Sequence, residues 1–249
     1  DFSTNADNAL HFAMILAKKQ NARLILIHAY QLPVSPAAVP FSVLADEKEQ
    51  LKQEAIGKMK ALCQEIEHAG GISYEYLVEE GETVPTILQA CEQKKSDLIV
   101  MGTKGATGLA GIIFGSTASH VLEKAACPVM AIPEASKFTH PIKKITYATD
   151  YRQSDIEAIH KLIEIASKLN AQINILHISG DEISAEEEVQ LMNEFRKKVN
   201  KSVFYNNLSF QLLHGNNVEE ELEHYITSES TDMLVMATHF RNFIDRLFG

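Results

Sequence analysis

The glycine-rich segment Gly102–Thr117 carries the residues of this chain that are best suited to bind a charged group. Its first fourteen residues contain five glycines, a density that excludes a regular strand or a stable helix. A short apolar run, Asp97–Met101, precedes it, and Ser116 and Thr117 at its end open a helical stretch. A strand, a glycine loop and a helix N-terminus present backbone N–H groups and the positive end of the helix dipole to one point. This pattern predicts an anion site, with the two hydroxyls as further donors to phosphate oxygens.

The alternative interpretation of this segment is a flexible surface loop whose serine only caps the following helix. The patterns GxxxxGK[ST] and GxGxxG do not occur in the sequence, so the segment is neither a Walker A loop nor a dinucleotide fingerprint. Its place after a strand favours ligand binding, because ligands of open α/β sheets bind outside the carboxyl ends of the strands.

Composition excludes several other classes of function. Lys plus Arg number 23 against 33 Asp plus Glu, and the net charge of −10 gives no general attraction for nucleic acid or anionic membranes. No apolar run reaches the roughly 18 residues needed to span a bilayer. The three cysteines form no CxxC pair, and no two histidines lie three or four residues apart. We therefore expect a cytoplasmic protein with no metal site of its own and with neither nucleic acid nor membrane as partner.

The chain contains a repeat. Asp1–Gln31 aligns with Asp150–Gly180 at a shift of 149, with eight of 31 positions identical, and Asp97–Met101 aligns with Asp232–Met236 at a shift of 135. The repeat predicts two domains, residues 1–137 and 138–249. Because the second copy begins with a strand-like run before its aspartate, we expect the first copy to lack that strand. We likewise expect the second copy to lack the C-terminal helix and strand of the first.

Each copy alternates short apolar runs with amphipathic stretches. We predict strands at Arg23–Ala29, Ser73–Val78, Asp97–Met101, Pro128–Ile132, Ile145–Ala148, Ile173–Ile178, Phe210–Leu213 and Met233–Ala237. Helices are predicted at Ala6–Gln20, Asp46–Ala69, Thr83–Lys94 and Ala118–Ala126, with a linker over Pro133–Pro141. Alternation of this kind predicts an α/β fold with a doubly wound parallel sheet in each domain.

The glycine spacing Gly102-x2-Gly105-x9-Gly115-Ser116 resembles the ATP-binding signature of the universal stress protein family. The segments that agree with that family are Asp1–Ser3, Ile27–Ala29, Ser96–Thr103, Gly115–Leu122 and Cys127–Ile132. Since the resemblance covers both copies, it implies two tandem Rossmann-like domains of the adenine nucleotide alpha hydrolase-like kind. It also implies ATP, with or without Mg²⁺, as the ligand.

The resemblance assigns roles to individual residues of the first copy. Asp1 and Ala29 would flank adenine, and Met101 and Gly102 would border the ribose. The residues expected to hold the phosphates are Thr103, Lys104, Gly105, Gly115, Ser116 and Thr117. Lys104 has the alternative interpretation of a solvated loop residue.

The second copy departs from the pattern. Gly102 is replaced by Ala237, and Gly105 by Phe240, whose ring would fill the space a phosphate needs. Asp245 would repel an anion, whereas Arg241 and Arg246 could attract one. We expect a degenerate second copy and one nucleotide per chain.

Three functions remain open on the sequence. One is an adenine-nucleotide-binding module in the stress response, another a slow ATPase or phosphotransferase, and the third a nucleotide-free structural dimerisation module. The first is favoured, because the segment offers no P-loop lysine, no water-positioning group and no pair of magnesium carboxylates. His28 and His177, at strand ends, are assigned structural roles. The two copies are expected to pair as an intramolecular pseudo-dimer, with a homodimer as the alternative.

Overall fold

The computed structural model of this chain describes residues 1–32, 41–103, 115–136, 141–180, 184–202 and 204–237. The chain divides into two compact units. Of the described residues, those up to 136 lie in unit 1 and those from 141 onward lie in unit 2.

Unit 1 alternates four helices and four strands along its described residues. Their bounds are α1 Thr4–Gln20, β1 Arg23–Tyr30, α2 Phe41–Ala69, β2 Ser73–Glu80, α3 Thr83–Lys94, β3 Ile99–Gly102, α4 Ser116–Lys124 and β4 Val129–Ile132. Parallel pairing joins β1 to β2, with Ile27 opposite Leu77, and β3 to β4, with Met101 opposite Ala131. The described strands of unit 1 therefore form two separate two-stranded sheets.

Unit 2 begins with a strand and continues with the same alternation. Its elements are β5 Lys144–Ala148, α5 Gln153–Leu169, β6 Gln172–Ser179, α6 Ala185–Ser202, β7 Leu208–His214, α7 Val218–Ser228 and β8 Met233–Met236. All four strands join one parallel sheet in the order β7-β6-β5-β8. Tyr147 of β5 lies opposite Ile175 of β6 on one side and Val235 of β8 on the other.

Local sequence explains where the first helix of each unit begins and ends. Ser3 caps α1, because its Oγ accepts a hydrogen bond from the N–H of Ala6 at 3.3 Å. Asn21 and Asn170 end α1 and α5 in the left-handed conformation, with φ of 53° and 52°. Asparagine tolerates this conformation better than other residues with a Cβ, so the repeat in sequence is also a repeat in backbone geometry.

The predicted α/β class with parallel strands is confirmed, and three helix starts were wrong. Helices α1 and α4 each begin two residues earlier than predicted. The largest error concerns α2, which was predicted to start at Asp46 and begins at Phe41. Residues 41–45 contain neither glycine nor proline, and nothing in their sequence stops a helix before the prolines upstream.

The core of unit 2 lies between its sheet and the helices α5 and α6. Among its fully buried side chains are Ile145, Tyr147, Ile159, Ile173, Ile175 and Val199.

Candidate functional site

The first turn of α1 brings the carboxyl ends of β1 and β3 together. Phe2, just before the helix, has a φ of 56°, and its ring lies against His28 of β1, with ring centroids 4.5 Å apart. Asn5, in the first turn, lies against Gly102 at the end of β3. The predicted site residues at the ends of β1 and β3 therefore lie on either side of the segment that leads into α1.

Gly102 permits this close approach. A Cβ at this position would lie 2.6 Å from the carbonyl oxygen of Asn5 and 2.8 Å from its carbonyl carbon. Real Cβ atoms do not approach backbone so closely, so a side chain here would push α1 away from β3. The glycine is needed for packing between helix and strand, whatever it contributes to a ligand.

Thr103 is buried and its polar groups have partners inside the unit. Its backbone N–H donates to the carbonyl of Ile132 at 2.9 Å, and its hydroxyl donates to the same oxygen at 3.4 Å. Only 1% of its surface is exposed. Thr103 therefore anchors the start of the glycine segment to β4, which is a positioning role.

Asp1 is exposed, and its Oδ1 accepts hydrogen bonds from the backbone N–H of Ser3 at 3.1 Å and from the Ser3 hydroxyl at 2.6 Å. The carboxylate thus orders the turn that leads into α1. Ala29 and Met101 are both half-buried near the ends of their strands. These three residues lie at the carboxyl edge that the sequence predicted for them.

Among the described residues, the first backbone N–H groups of α4 have no partner. Gly115 is its N-cap with extended backbone and no side-chain hydrogen bond, and the first helical bond runs from Ser119 to Gly115 at 3.0 Å. The intervening N–H groups, from Ser116 to Ala118, have no partner within the helix. By contrast, side chains cap α1 and α7, and at the start of α5 the Asp155 carboxylate accepts a hydrogen bond from the N–H of Arg152 at 3.3 Å.

Topology places these donors at the same edge as the strand ends. Since β3 and β4 are parallel neighbours, the chain must cross back between them, and α4 provides that crossover. The helix then starts near the carboxyl end of β3, where Gly102 and Thr103 lie. Ser116 is exposed, and Gly115 and Thr117 are half-buried. Lys104, Gly105 and, in the second copy, Phe240, Arg241, Asp245 and Arg246 lie outside the described residues.

A cation that the sequence did not predict lies beside this site. The ammonium of Lys58, on α2, lies 5.6 Å from the centre of the Phe2 ring and pairs with Glu54 at 2.7 Å. The pKa of His28 is lowered, first by burial and then by the positive charge of Lys58. His28 is therefore a neutral imidazole, and the ammonium group of Lys58 lies close to it.

Unit 2 has the same contact between an aromatic ring and a histidine, but the charged residue beside it has the opposite sign. Tyr151, with a φ of 65°, stacks on His177 at 4.1 Å between centroids. The imidazole Nδ1 hydrogen-bonds the carbonyl of Thr149 at 2.7 Å, and Nε2 lies 3.5 Å from a carboxylate oxygen of Glu188. Burial, and then the charge of Glu188, raises the pKa of Tyr151. A buried carboxylate thus lies beside the stack in unit 2, whereas a lysine lies beside it in unit 1.

One sequence signal could have found this contact. At a shift of 149, Phe2 aligns with Tyr151 and His28 with His177, so an aromatic residue and a histidine recur together. The charged residues have no such signal, because Lys58 and Glu188 lie in the helices that follow the repeated segment, where the copies differ in length.

Within the described ranges, no group of three or more His, Cys, Asp or Glu side chains is arranged to hold a metal ion. No helix among the same residues has the length and apolar character needed to cross a bilayer.

Comparison with known proteins gives a consistent result for the first half of the chain. A model of the universal stress protein family matches residues 1–133. A universal stress protein of Methanocaldococcus jannaschii is 34% identical over 134 residues, which cover 52% of this chain and 75% of that protein. A universal stress protein of Thermus aquaticus is 31% identical over 132 residues, covering 53% of this chain and 93% of the relative.

A solved structure extends the comparison of the fold to both units. The crystal structure of a universal stress protein from Archaeoglobus fulgidus matches with a TM-score of 0.69 at 17% identity. The match covers 95% of this chain and 84% of the other. At this identity the likeness concerns the fold alone.

Proposed function

The chain belongs to the universal stress protein family, and from that premise we propose that unit 1 binds an adenine nucleotide, ATP with or without Mg²⁺, as a module of the stress response. The observation that carries the proposal is the N-terminus of α4, whose first backbone N–H groups have no partner among the described residues and which follows a glycine-rich segment at the carboxyl edge of β3. Free N–H groups at a helix N-terminus bind phosphate oxygens, and the helix dipole favours their negative charge.

The proposed contacts divide into three parts. Asp1 and Ala29 flank the base, and Met101 and Gly102 border the ribose. The phosphates lie against Lys104, Gly105, Gly115, Ser116 and Thr117, with Thr103 holding the start of that segment to β4. Lys58 adds a positive charge on the side of the base, close to Phe2.

These groups support binding more than turnover. Backbone N–H groups and hydroxyls stabilise phosphate in its ground state. Asp1 is the carboxylate that we assign to the site, and we place it against the base and not against the phosphates. Binding that is equal in ground state and transition state does not accelerate hydrolysis. We propose at most slow hydrolysis of ATP.

The proposal for unit 2 is that it holds no nucleotide. Glu188 is 95% buried beside the His177–Tyr151 stack, and its charge opposes an anionic ligand at the place where unit 1 has a lysine. Phe240 stands where unit 1 has Gly105. From the sequence repeat we also propose that the two units pair as a pseudo-dimer, with homodimer formation as the alternative, and that the protein works in the cytoplasm.

Isothermal titration of the full chain with ATP tests the proposal. We expect a stoichiometry near one and a loss of binding in Gly105→Phe, which copies the second repeat into the first. Ser116→Asp places a carboxylate among the free donors of α4, so we expect ATP to bind at least about tenfold more weakly, a change of about 1.4 kcal/mol. An acidic residue in the first turn of a helix is otherwise favourable, so the unit should stay folded.

Ser184→Asp is the matched control, because Ser184 caps α6 of unit 2 with its Oγ 3.3 Å from the N–H of Glu187. It adds the same charge at a helix start and should leave ATP affinity unchanged. A stoichiometry near two, or unchanged affinity in both Gly105→Phe and Ser116→Asp, would overturn the proposed site. Turnover on the order of 1–10³ per second, abolished by Gly105→Phe, would establish the enzyme alternative instead.

A further inference from the structure

Two cysteines of unit 1 that are far apart in sequence meet in the structure. The Sγ atoms of Cys91 and Cys127 lie 3.1 Å apart, although 36 residues separate them in the chain. Both are free thiols. A disulfide bond is about 2.05 Å long, so the two sulfurs need to approach by only about 1 Å to form one.

The surrounding backbone holds the two thiols in place. Cys91 lies near the end of α3, and its carbonyl accepts a hydrogen bond from the N–H of Ser96 at 2.9 Å. Cys127 directly precedes Pro128, whose carbonyl accepts a hydrogen bond from the N–H of Ile99 at 3.0 Å. The two thiols thus flank the start of β3 on segments that the fold fixes.

The third cysteine has different neighbours. Cys63 is buried on α2, and the groups around its thiol are those of Tyr74 and Glu67. It is therefore a natural reference for a cysteine that is buried without a thiol partner.

We propose that Cys91 and Cys127 form an oxidisable dithiol, a modification site that hydrogen peroxide converts to an intramolecular disulfide. Cys127 is half-buried and Cys91 is 9% exposed, so peroxide reaches Cys127 more readily. Attack of its sulfur on peroxide gives a sulfenic acid and one water. The Cys91 sulfur then attacks the sulfenic sulfur, the S–O bond breaks, the S–S bond forms, and a second water leaves. Two thiols lose two electrons and two protons in total, and one peroxide is reduced to two waters.

The environment of the pair makes this reaction slow. Burial, with the neighbouring Cys91 thiol, raises the pKa of Cys127 to about 12. Because the thiolate is the nucleophile, few Cys127 side chains react at any moment near neutral pH. The dithiol therefore resists brief exposure to peroxide and closes under sustained exposure.

Formation of the disulfide would link the two ends of one segment covalently to each other. The chain between Cys91 and Cys127 contains β3, the glycine-rich segment and α4. A covalent link across this segment lowers the entropy of the unfolded chain, so the oxidised protein should unfold at higher denaturant concentration. The inference does not depend on nucleotide binding.

The test uses the full chain, treated with hydrogen peroxide for several periods and then denatured for thiol titration and peptide mapping. We expect the thiol count to fall from three to one per chain, with the peptides of Cys91 and Cys127 linked and lighter by two hydrogens. Dithiothreitol should restore all three thiols. Cys63→Ser, the matched control, should lose both of its remaining thiols at the same rate.

Cys91→Ser and Cys127→Ser should each give no internal link. Peptide mapping of the unaltered chain decides the question even if a variant folds poorly. The proposal would be overturned if all three thiols remained free under a peroxide treatment that fully oxidises dithiothreitol. A link that includes Cys63, or sulfinic acid at Cys127 without a disulfide, would overturn it too.

Discussion

Strands β1 and β6 are the same part of the repeat in two different environments. In β6, Ile173, Ile175 and Leu176 are at most 1% exposed, whereas the corresponding residues of β1 are all partly exposed. Among the described residues, β1 pairs with β2 alone, while β6 pairs with β7 on one side and β5 on the other. Of these two strands, the one with a partner at both edges is the more buried.

Strand β5 is the element that makes this difference. It lies between β6 and β8, whose counterparts β1 and β3 belong to separate sheets in unit 1. Its sequence, KITYA, buries four of five residues. A central strand therefore joins two strand pairs into one sheet and covers the adjacent edges.

The two units also differ at their strand ends. Both stack an aromatic ring on a histidine, but Lys58 lies beside the stack of unit 1 and Glu188 beside that of unit 2. The backbone geometry is kept while the sign of the nearby charge is reversed. This reversal is one reason for our proposal that unit 1 alone binds an anionic ligand.

The largest expected effect is a difference in stability between matched substitutions in β6 and β1. Ile175→Ala should destabilise unit 2 by about 2–5 kcal/mol, because it leaves a cavity in a fully buried layer. Leu26→Ala, its counterpart in β1, should cost less than about 2 kcal/mol because Leu26 is already partly exposed. Urea unfolding combined with hydrogen exchange measures the loss of stability separately in unit 1 and in unit 2. Equal losses would contradict the difference in burial.

An intermediate effect is expected at the contact between α1 and β3. Gly102→Ala gives unit 1 the residue that unit 2 has at position 237, and its Cβ would meet the Asn5 backbone at 2.6 Å. Because backbone must move, we expect a loss of about 1–3 kcal/mol. Thermal or urea unfolding of the full chain measures it.

Gly57→Ala is the control for that substitution. Gly57 lies inside α2 with nothing within 4 Å of the added Cβ. Alanine should there stabilise the unit by about 0.5–1 kcal/mol through helix propensity and a less flexible unfolded chain. A loss at Gly57, or no loss at Gly102, would show that the α1 contact is not the cause.

The smallest effect concerns pH. Because burial and then the charge of Lys58 lower the pKa of His28 below 6.5, the folded state disfavours its protonation. The stability of unit 1 should be full above pH 6.5 and fall as the pH drops toward the lowered value. His28→Gln should reduce this fall, and Lys58→Met should reduce it in part by removing that charge. A pH profile of unfolding that both variants leave unchanged would refute the argument.

Much of the fold follows from the sequence because its signals are local. Apolar runs placed β1 at Arg23–Ala29, one residue short of its observed end, and the shift of 149 aligned the helix caps Asn21 and Asn170. The candidate site is less predictable. The burial of Thr103 and the meeting of Cys91 with Cys127 depend on which segments pack together, and no local pattern encodes that.

The sheet order of unit 2 also constrains how the chain can fold as it is synthesised. Its central strand, β5, is made first, and β6 and β7 follow on one side in chain order. The other edge of β5 pairs with β8, where Ile145 lies opposite Met233, so this pairing waits until the elements from α5 to α7 have emerged. Until then β5 exposes one open edge of hydrogen-bonding groups, which is where a nascent chain is most prone to pair wrongly. The late partner of β5 thus makes the interval before β8 emerges the vulnerable one for unit 2.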